Sequence, residues 1–140
     1  MIVDSSALLA ILNREPDASH YEEAILNAAT CSMSVANVLE TSIVVESRGG
    51  AQAGHELNAF LEVGEIRQAP VTAEHMETAR QAWRRFGKGR HPAALNFGDC
   101  FAYALAQVTA EPLLYKGNDF AHTDIPAAIP PAHGLAGTSR

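Results

Sequence analysis

The sequence predicts an α/β domain built on a central, mainly parallel sheet with helices on both faces. Three observations point there. Short apolar runs of strand length alternate with longer segments of helical periodicity. That alternation favours parallel pairing, because each strand must be reached by a crossover through a helix. No repeat or shift of composition divides the 140 residues, a length that suits one compact domain over 1–140, with a Pro/Gly-containing tail from 126 to 140.

The elements follow in order. Residues 1–3 read as a short buried strand, with Asp4 at its C-terminal end. Ser5 or Ser6 is placed to cap a helix through 7–12, since a serine oxygen accepts from the free N–H groups of a first turn. Pro16 ends it, and Asp17 caps a second helix over about 18–29 with Tyr21, Ile25 and Ala28 on one face. Residues 31–33 form the next strand. Ser34 caps a helix in which Val35, Leu39 and Ile43 recur at the i, i+4 spacing of a core-facing stripe. Gly49-Gly50 stops it, and 51–63 makes another amphipathic helix with Leu57, Phe60 and Leu61 inward. Strand 65–69 leads through Pro70 and the cap Thr72 to a helix over 73–86, whose inward residues read as Met76, Ala79, Trp83 and Phe86. A loop at 87–92 precedes a helix over about 98–109, with Phe101, Ala104, Leu105 and Val108 spaced for burial. Residues 112–115 form a fourth strand, 116–119 its exit turn, and a last short strand is expected near 124–125.

Composition narrows the function. The opening MIVD is too short and too soon charged for a signal peptide, and no apolar run approaches the ~20 residues of a membrane span, so a cytoplasmic protein is expected. Cys31 and Cys100 form no C-x-x-C and sit among apolar residues, as small buried hydrophobes do. The six histidines are scattered without an H-E-x-x-H pair, which disfavours zinc. A net charge of -6 argues against binding nucleic acid by bulk electrostatics alone. It does not exclude a nuclease, whose metal ions would restore positive potential locally.

The carboxylates carry the chemistry. Asp4 and Asp119 each follow a strand of the same expected sheet, and ligands of open α/β sheets collect beyond the carboxyl ends of the strands. Asp99 opens the helix before the fourth strand, and Glu40 interrupts the apolar segment VANVLE. Four acids from distant segments would meet in one crevice, where mutual repulsion is tolerable if a cation neutralises it. Hard oxygen donors suit Mg²⁺ or Mn²⁺, which can activate water for phosphodiester hydrolysis. Each acid also has a purely structural reading: Asp4 as a helix cap, Asp99 as an acid at its helix's positive end, Asp119 as a turn residue, Glu40 on a half-exposed helix.

At these same residues the chain resembles the PIN-domain ribonucleases, and within them the VapC toxins of toxin–antitoxin pairs. The stretches that carry the likeness are MIVDSSALLAIL, SVANVLETSIVVESR, LNFGDCFAYALA and LLYKGNDFAHTDI, in the family's order and spacing. The resemblance implies a PIN-like three-layer α/β/α sandwich, a Mg²⁺ or Mn²⁺ site and RNA cleavage. It assigns Asp4, Glu40, Asp99 and Asp119 to the family's acidic quartet and Ser6 to the hydroxyl that steadies the first aspartate. Asn118 stands where related sequences often carry aspartate, so a direct role at 118 is in question and a water-mediated one remains open. The partners implied are a VapB-type antitoxin, whose C-terminal segment would cross the acidic crevice, an RNA substrate such as tRNA, and a second copy in a homodimer.

Half of the ten basic residues, Arg80, Arg84, Arg85, Lys88 and Arg90, lie within eleven positions just before Asn96 and Asp99. They read either as a grip on RNA phosphates or as a solvated helix face, and Trp83 among them as core or as a stacking surface for a base. Other motifs fail: Gly49 to Gly54 lacks the lysine of a phosphate loop, and no G-x-S-x-G elbow occurs. A non-catalytic binding module is the chief rival reading. A receiver-like phosphoacceptor domain is disfavoured by Ala69-Pro70-Val71 after the third strand.

Overall fold

The structure is a computed structural model and describes residues 1–130; the expectations for the rest of the tail lie outside the described residues. In chain order it runs β1 (Ile2–Val3), α1 (Ser5–Leu12), α2 (Ala18–Asn27), β2 (Cys31–Ser34), α3 (Val35–Val63), β3 (Ile66–Ala69), α4 (Ala73–Phe86), α5 (Phe97–Thr109) and β4 (Leu113–Leu114). A single 3-10 turn at Phe120–His122 follows. The strands pair in the order β3-β2-β1-β4, every pairing parallel, as the alternation of strand and helix predicts.

Side-chain alternation along the strands divides the interior into two cores. Ile2 and its partner Leu113 point to a core made with α4 and α5, where Ala82, Phe86, Tyr103 and Leu105 are buried. Val3 and its partner Leu114 point the other way, to join Leu8, Ile25, Met33 and Leu57 from β2 and helices α1 to α3. The result is the three-layer α/β/α sandwich. Because all four strands run the same way, their carboxyl ends open on one edge of the sheet. The ammonium of Met1 at the opposite edge pairs with Glu111 and donates to Thr30 O at 2.9 Å.

Several local expectations are corrected. Asp4, not Ser5 or Ser6, caps α1: its Oδ2 accepts from Ser6 N at 2.9 Å. Asp17 heads α2 without capping it, because its carboxylate accepts from Lys116 Nζ at 3.0 Å and Tyr21 Oη at 3.2 Å. No strand forms at 124–125. The side chain of Asp124 is held by Tyr103, whose Oη donates to it at 2.6 Å, and Leu113 bridges Ala127 instead. The break expected at Gly49-Gly50 survives as a kink inside α3, where Gly50 takes φ 67 and ψ -165, a conformation open essentially to glycine.

The largest correction concerns faces. Val35, Leu39 and Ile43 form a coherent stripe, yet it faces outward, Leu39 at 61% and Ile43 at 60% exposure. The buried face of that half of α3 is Asn37, Thr41 and Val45. Its polar members can be buried because they bond locally: Thr41 Oγ1 donates to Asn37 O at 2.8 Å. On α4 likewise, Ala79, Ala82 and Phe86 are buried while Met76 and Trp83 are 44% and 43% exposed. The guanidinium of Arg90 lies 4.1 Å over the Trp83 ring.

Candidate active site

Asp4 is buried just past β1, where its N–H donates to Leu114 O at 2.9 Å and so extends the pairing with β4. Ser6 Oγ donates to Asp4 Oδ2 at 2.6 Å and itself accepts from Lys116 N at 2.9 Å. The exit of β4 thus steadies Ser6, and Ser6 steadies Asp4. Lys116 is anchored in turn by ion pairs to Glu15 and Asp17, which raise its pKa and tie that exit to the α1–α2 loop.

Glu40 approaches from α3. Its Oε1 accepts from Ser5 Oγ at 2.7 Å and from Asn37 Nδ2 at 3.2 Å. Its carboxylate lies against Gly98, where a Cβ would fall only 2.1 Å from Oε2, so a side chain at 98 would push the Glu40 carboxylate out of this position. Asp99 is the next residue. It closes a capping box with Asn96: Asp99 N donates to Asn96 Oδ1 at 2.9 Å, and Asn96 N donates to Asp99 Oδ2 at 3.0 Å. Asp119 stands exposed at the head of the 3-10 turn, with Asn118 exposed beside it. Gly117, at φ 102, turns the chain toward it.

Electrostatics shows the four acids to be neighbours. Burial raises the Asp4 carboxyl to about 6, and the charge of Glu40 pushes the same way against the hydrogen bonds from Ser6. Burial likewise raises Asp99 to about 7, with the charges of Asp4, Asp119 and Glu40 adding to it and the bond from Asn96 opposing. Among the described residues, no three His, Cys, Asp or Glu side chains stand close enough to form a ready-made metal site. The other three acids sit within electrostatic reach of Asp99, and Glu40 within reach of Asp4, short of mutual ligand contact. Their chemistry still fits a hard divalent cation. All donors are carboxylate oxygens, and the hydrogen bonds to Asp4, Glu40 and Asp99 described above each engage one oxygen, leaving the second outside them. Asp4 as the cap of α1 and Asp99 as the partner of the Asn96 cap on α5 therefore each fasten the start of a helix while standing among the acids.

The neighbours of Glu40 escaped the sequence reading. Ser5 had been read only as a cap, and Asn37 was passed over inside the apolar segment VANVLE. Its place three residues before an unexplained glutamate, on the same side of the helix, was the available signal.

The basic residues do not form one surface. Arg80 and Lys88 line a groove of about 540 Å³ with Met76, Trp83, Phe97 and Phe101, and Arg90 stacks on Trp83 at its side. Arg85 turns away, over Phe86 at 4.6 Å and toward Asp124 at 3.5 Å. Arg84 is exposed and pairs with no carboxylate among the described residues. Cys31 and Cys100 are buried and unpaired; burial, and then the charge of Asp99, hold the Cys100 thiol at about 11. No described helix is long and apolar enough to cross a membrane.

The PIN domain family model matches residues 1–126. The ribonuclease VapC of Mycolicibacterium smegmatis is 50% identical over 127 residues, covering 91% of this chain and 98% of that protein. Ribonuclease VapC30 of Mycobacterium tuberculosis is 47% identical over 125 residues, covering 89% and 95%. Among solved structures, Mycobacterium tuberculosis VapC20, a toxin that cleaves the sarcin–ricin loop, superposes with a TM-score of 0.75 at 19% identity, covering 93% of this chain and 98% of its own. VapBC2 of Rickettsia felis, solved bound to a DNA fragment from its promoter, gives 0.69 at 15% identity, covering 90% and 94%. These two share the fold, and the closer sequence relatives share the name: the chain belongs to the PIN-domain family, among the VapC ribonucleases.

Proposed function

We propose that this protein is the toxin of a toxin–antitoxin pair, a cytoplasmic endoribonuclease of one domain that hydrolyses RNA phosphodiester bonds with a bound Mg²⁺ or Mn²⁺. The observation that carries the reading is Asp99, a half-buried carboxyl at the start of α5, raised to about 7 with three further acids contributing to the rise. Such a cluster is costly without a cation and favourable with one.

Asp4, Asp99, Asp119 and Glu40 are the residues that would hold the ion. Once bound, a divalent cation supplies Lewis-acid stabilisation of charge developing on phosphorus and lowers the pKa of a nearby water. The protein's part is placement. Ser6 keeps Asp4 Oδ2 engaged, Asn96 does the same for Asp99, and Asn118, exposed beside Asp119, would act on the ion through a bridging water. Arg80, Arg84, Lys88 and Arg90 would grip the phosphates of a structured RNA such as tRNA; Arg85, turned to Asp124, contributes least. The exposed apolar surface formed by Leu39, Ile43 and Phe97 supports protein partners, a VapB-type antitoxin and a second copy of this chain.

The deciding experiment is cleavage of total RNA with Mg²⁺ by wild-type and Asp99→Asn protein. The wild type is expected to cleave and Asp99→Asn to lose at least about 100-fold in rate, in line with removal of a direct metal ligand. Equal cleavage by both would overturn the assignment.

A further inference from the structure

We propose that Asn37 is the positioning residue of Glu40, holding its carboxylate against the first turn of α5 beside Asp99. The inference rests on the reading of Glu40 as part of the metal site and deepens it.

Asn37 is fully buried in the first turn of α3, three residues ahead of Glu40 on the same side of the helix. Its Nδ2 donates twice, to Glu40 Oε1 at 3.2 Å and to Gly98 O at 2.9 Å. Its Oδ1 is buried and has no partner among the described residues. The amide cannot gain by flipping, since that would set its oxygen against two acceptors. An apolar side chain would leave no orphaned acceptor, so packing alone does not account for an amide here. What the amide adds is a pair of donors that ties a carboxylate on α3 to the backbone of α5.

Two further contacts define the same placement. Ser5 Oγ donates to the same Oε1 at 2.7 Å. The missing Cβ of Gly98 gives the whole carboxylate its space: a Cβ there would fall 2.1 Å from Oε2 and 2.7 Å from Oε1. Oε1 is held by two protein donors while the carboxylate lies along the turn that presents Asp99. Asn37 fixes the carboxylate in that place. The simpler alternative is that Asn37 only joins α3 to α5 through Gly98 O.

A double-mutant cycle on the full chain separates the two. Mn²⁺ affinity is measured by calorimetry with the metal alone, and RNA cleavage with Mg²⁺ yields kcat and KM, for wild type, Asn37→Ala, Glu40→Ala and the double variant. Supporting outcomes are an Asn37→Ala affinity and kcat each about tenfold lower, with KM for RNA unchanged, and no further loss when Asn37→Ala is added to Glu40→Ala. Asn37→Thr, which is close in volume and lacks the two amide donors, replaces Asn37→Ala if the latter does not fold. Equal losses in both backgrounds, or a folded variant with unaltered affinity and kcat, overturns the positioning role while leaving Glu40 in the site. An unaltered Glu40→Ala overturns the role of Glu40 and this inference together.

Discussion

At the scale of the residue, buried Asp4 and half-buried Asp99 set the protein's response to pH. A carboxyl whose folded-state pKa lies above its unfolded value, 3.8, adds stability below that value and loses it as pH rises through the folded-state pKa, about 6 for Asp4 and about 7 for Asp99. Metal-free protein is therefore expected to melt at progressively lower temperature from about pH 4 to about pH 7.5, by several degrees in all. Saturating Mn²⁺ at the upper pH should restore the loss. Asp4→Asn, which removes the buried charge, should stabilise the metal-free protein at pH 8 by on the order of 2 kcal/mol while abolishing cleavage. Calorimetric melts across pH check both statements, and a melting temperature that climbs with pH would contradict the burial argument. All four acids were legible in the sequence, because their position after strands or inside an apolar helix is a local signal. Ser5 and Asn37 were not: the bond from Ser5 to Glu40 and that from Asn37 to Gly98 O depend on how α3 lies across α1 and α5, and the Asn37–Glu40 spacing on α3 gains meaning only beside them.

Among the elements, boundaries were more legible than faces. The 73–86 helix was read to the residue from its Thr72 cap and the loop beyond Phe86. Its inward stripe was half wrong, since periodicity finds an apolar face without saying whether the sheet, a neighbouring chain or water lies against it. Measured stabilities should rank the residues by burial. Phe86→Ala is expected to cost about 3–5 kcal/mol, as for a packed core aromatic. Trp83→Ala, on the exposed side beneath Arg90, should cost under about 1 kcal/mol. Urea titrations of the two variants test this, and a larger loss at Trp83 would place it in the core after all. The same reasoning explains α3: Asn37 and Thr41 occupy the inward positions that a hydrophobic pattern assigns to leucine or isoleucine.

For the whole molecule, the parallel sheet was predictable because four strand-length runs separated by helical segments leave little topological choice. What one chain could not reveal was which surfaces it reserves for others. Leu39, Ile43 and Phe97, at 61%, 60% and 81% exposure, form an apolar surface beside Glu40 that water alone does not favour. Leu39→Glu combined with Phe97→Ser is expected to turn a homodimer into a monomer by light scattering while the far-ultraviolet circular dichroism stays unchanged. A dimer that survives both changes would move the contact to another face.

The double duty of Asp4 and Asp99 has a practical corollary. Alanine at either position would strip a carboxylate from the cluster and also unfasten the start of α1 or α5, so lost activity would be confounded with a frayed helix. The isosteric amide avoids this, because asparagine's oxygen can still accept the bond from Ser6 N or Asn96 N. A chain carrying asparagine at both positions should make a silent but intact bait, suited to trapping uncut transcripts and companion proteins from cells that the active form would poison.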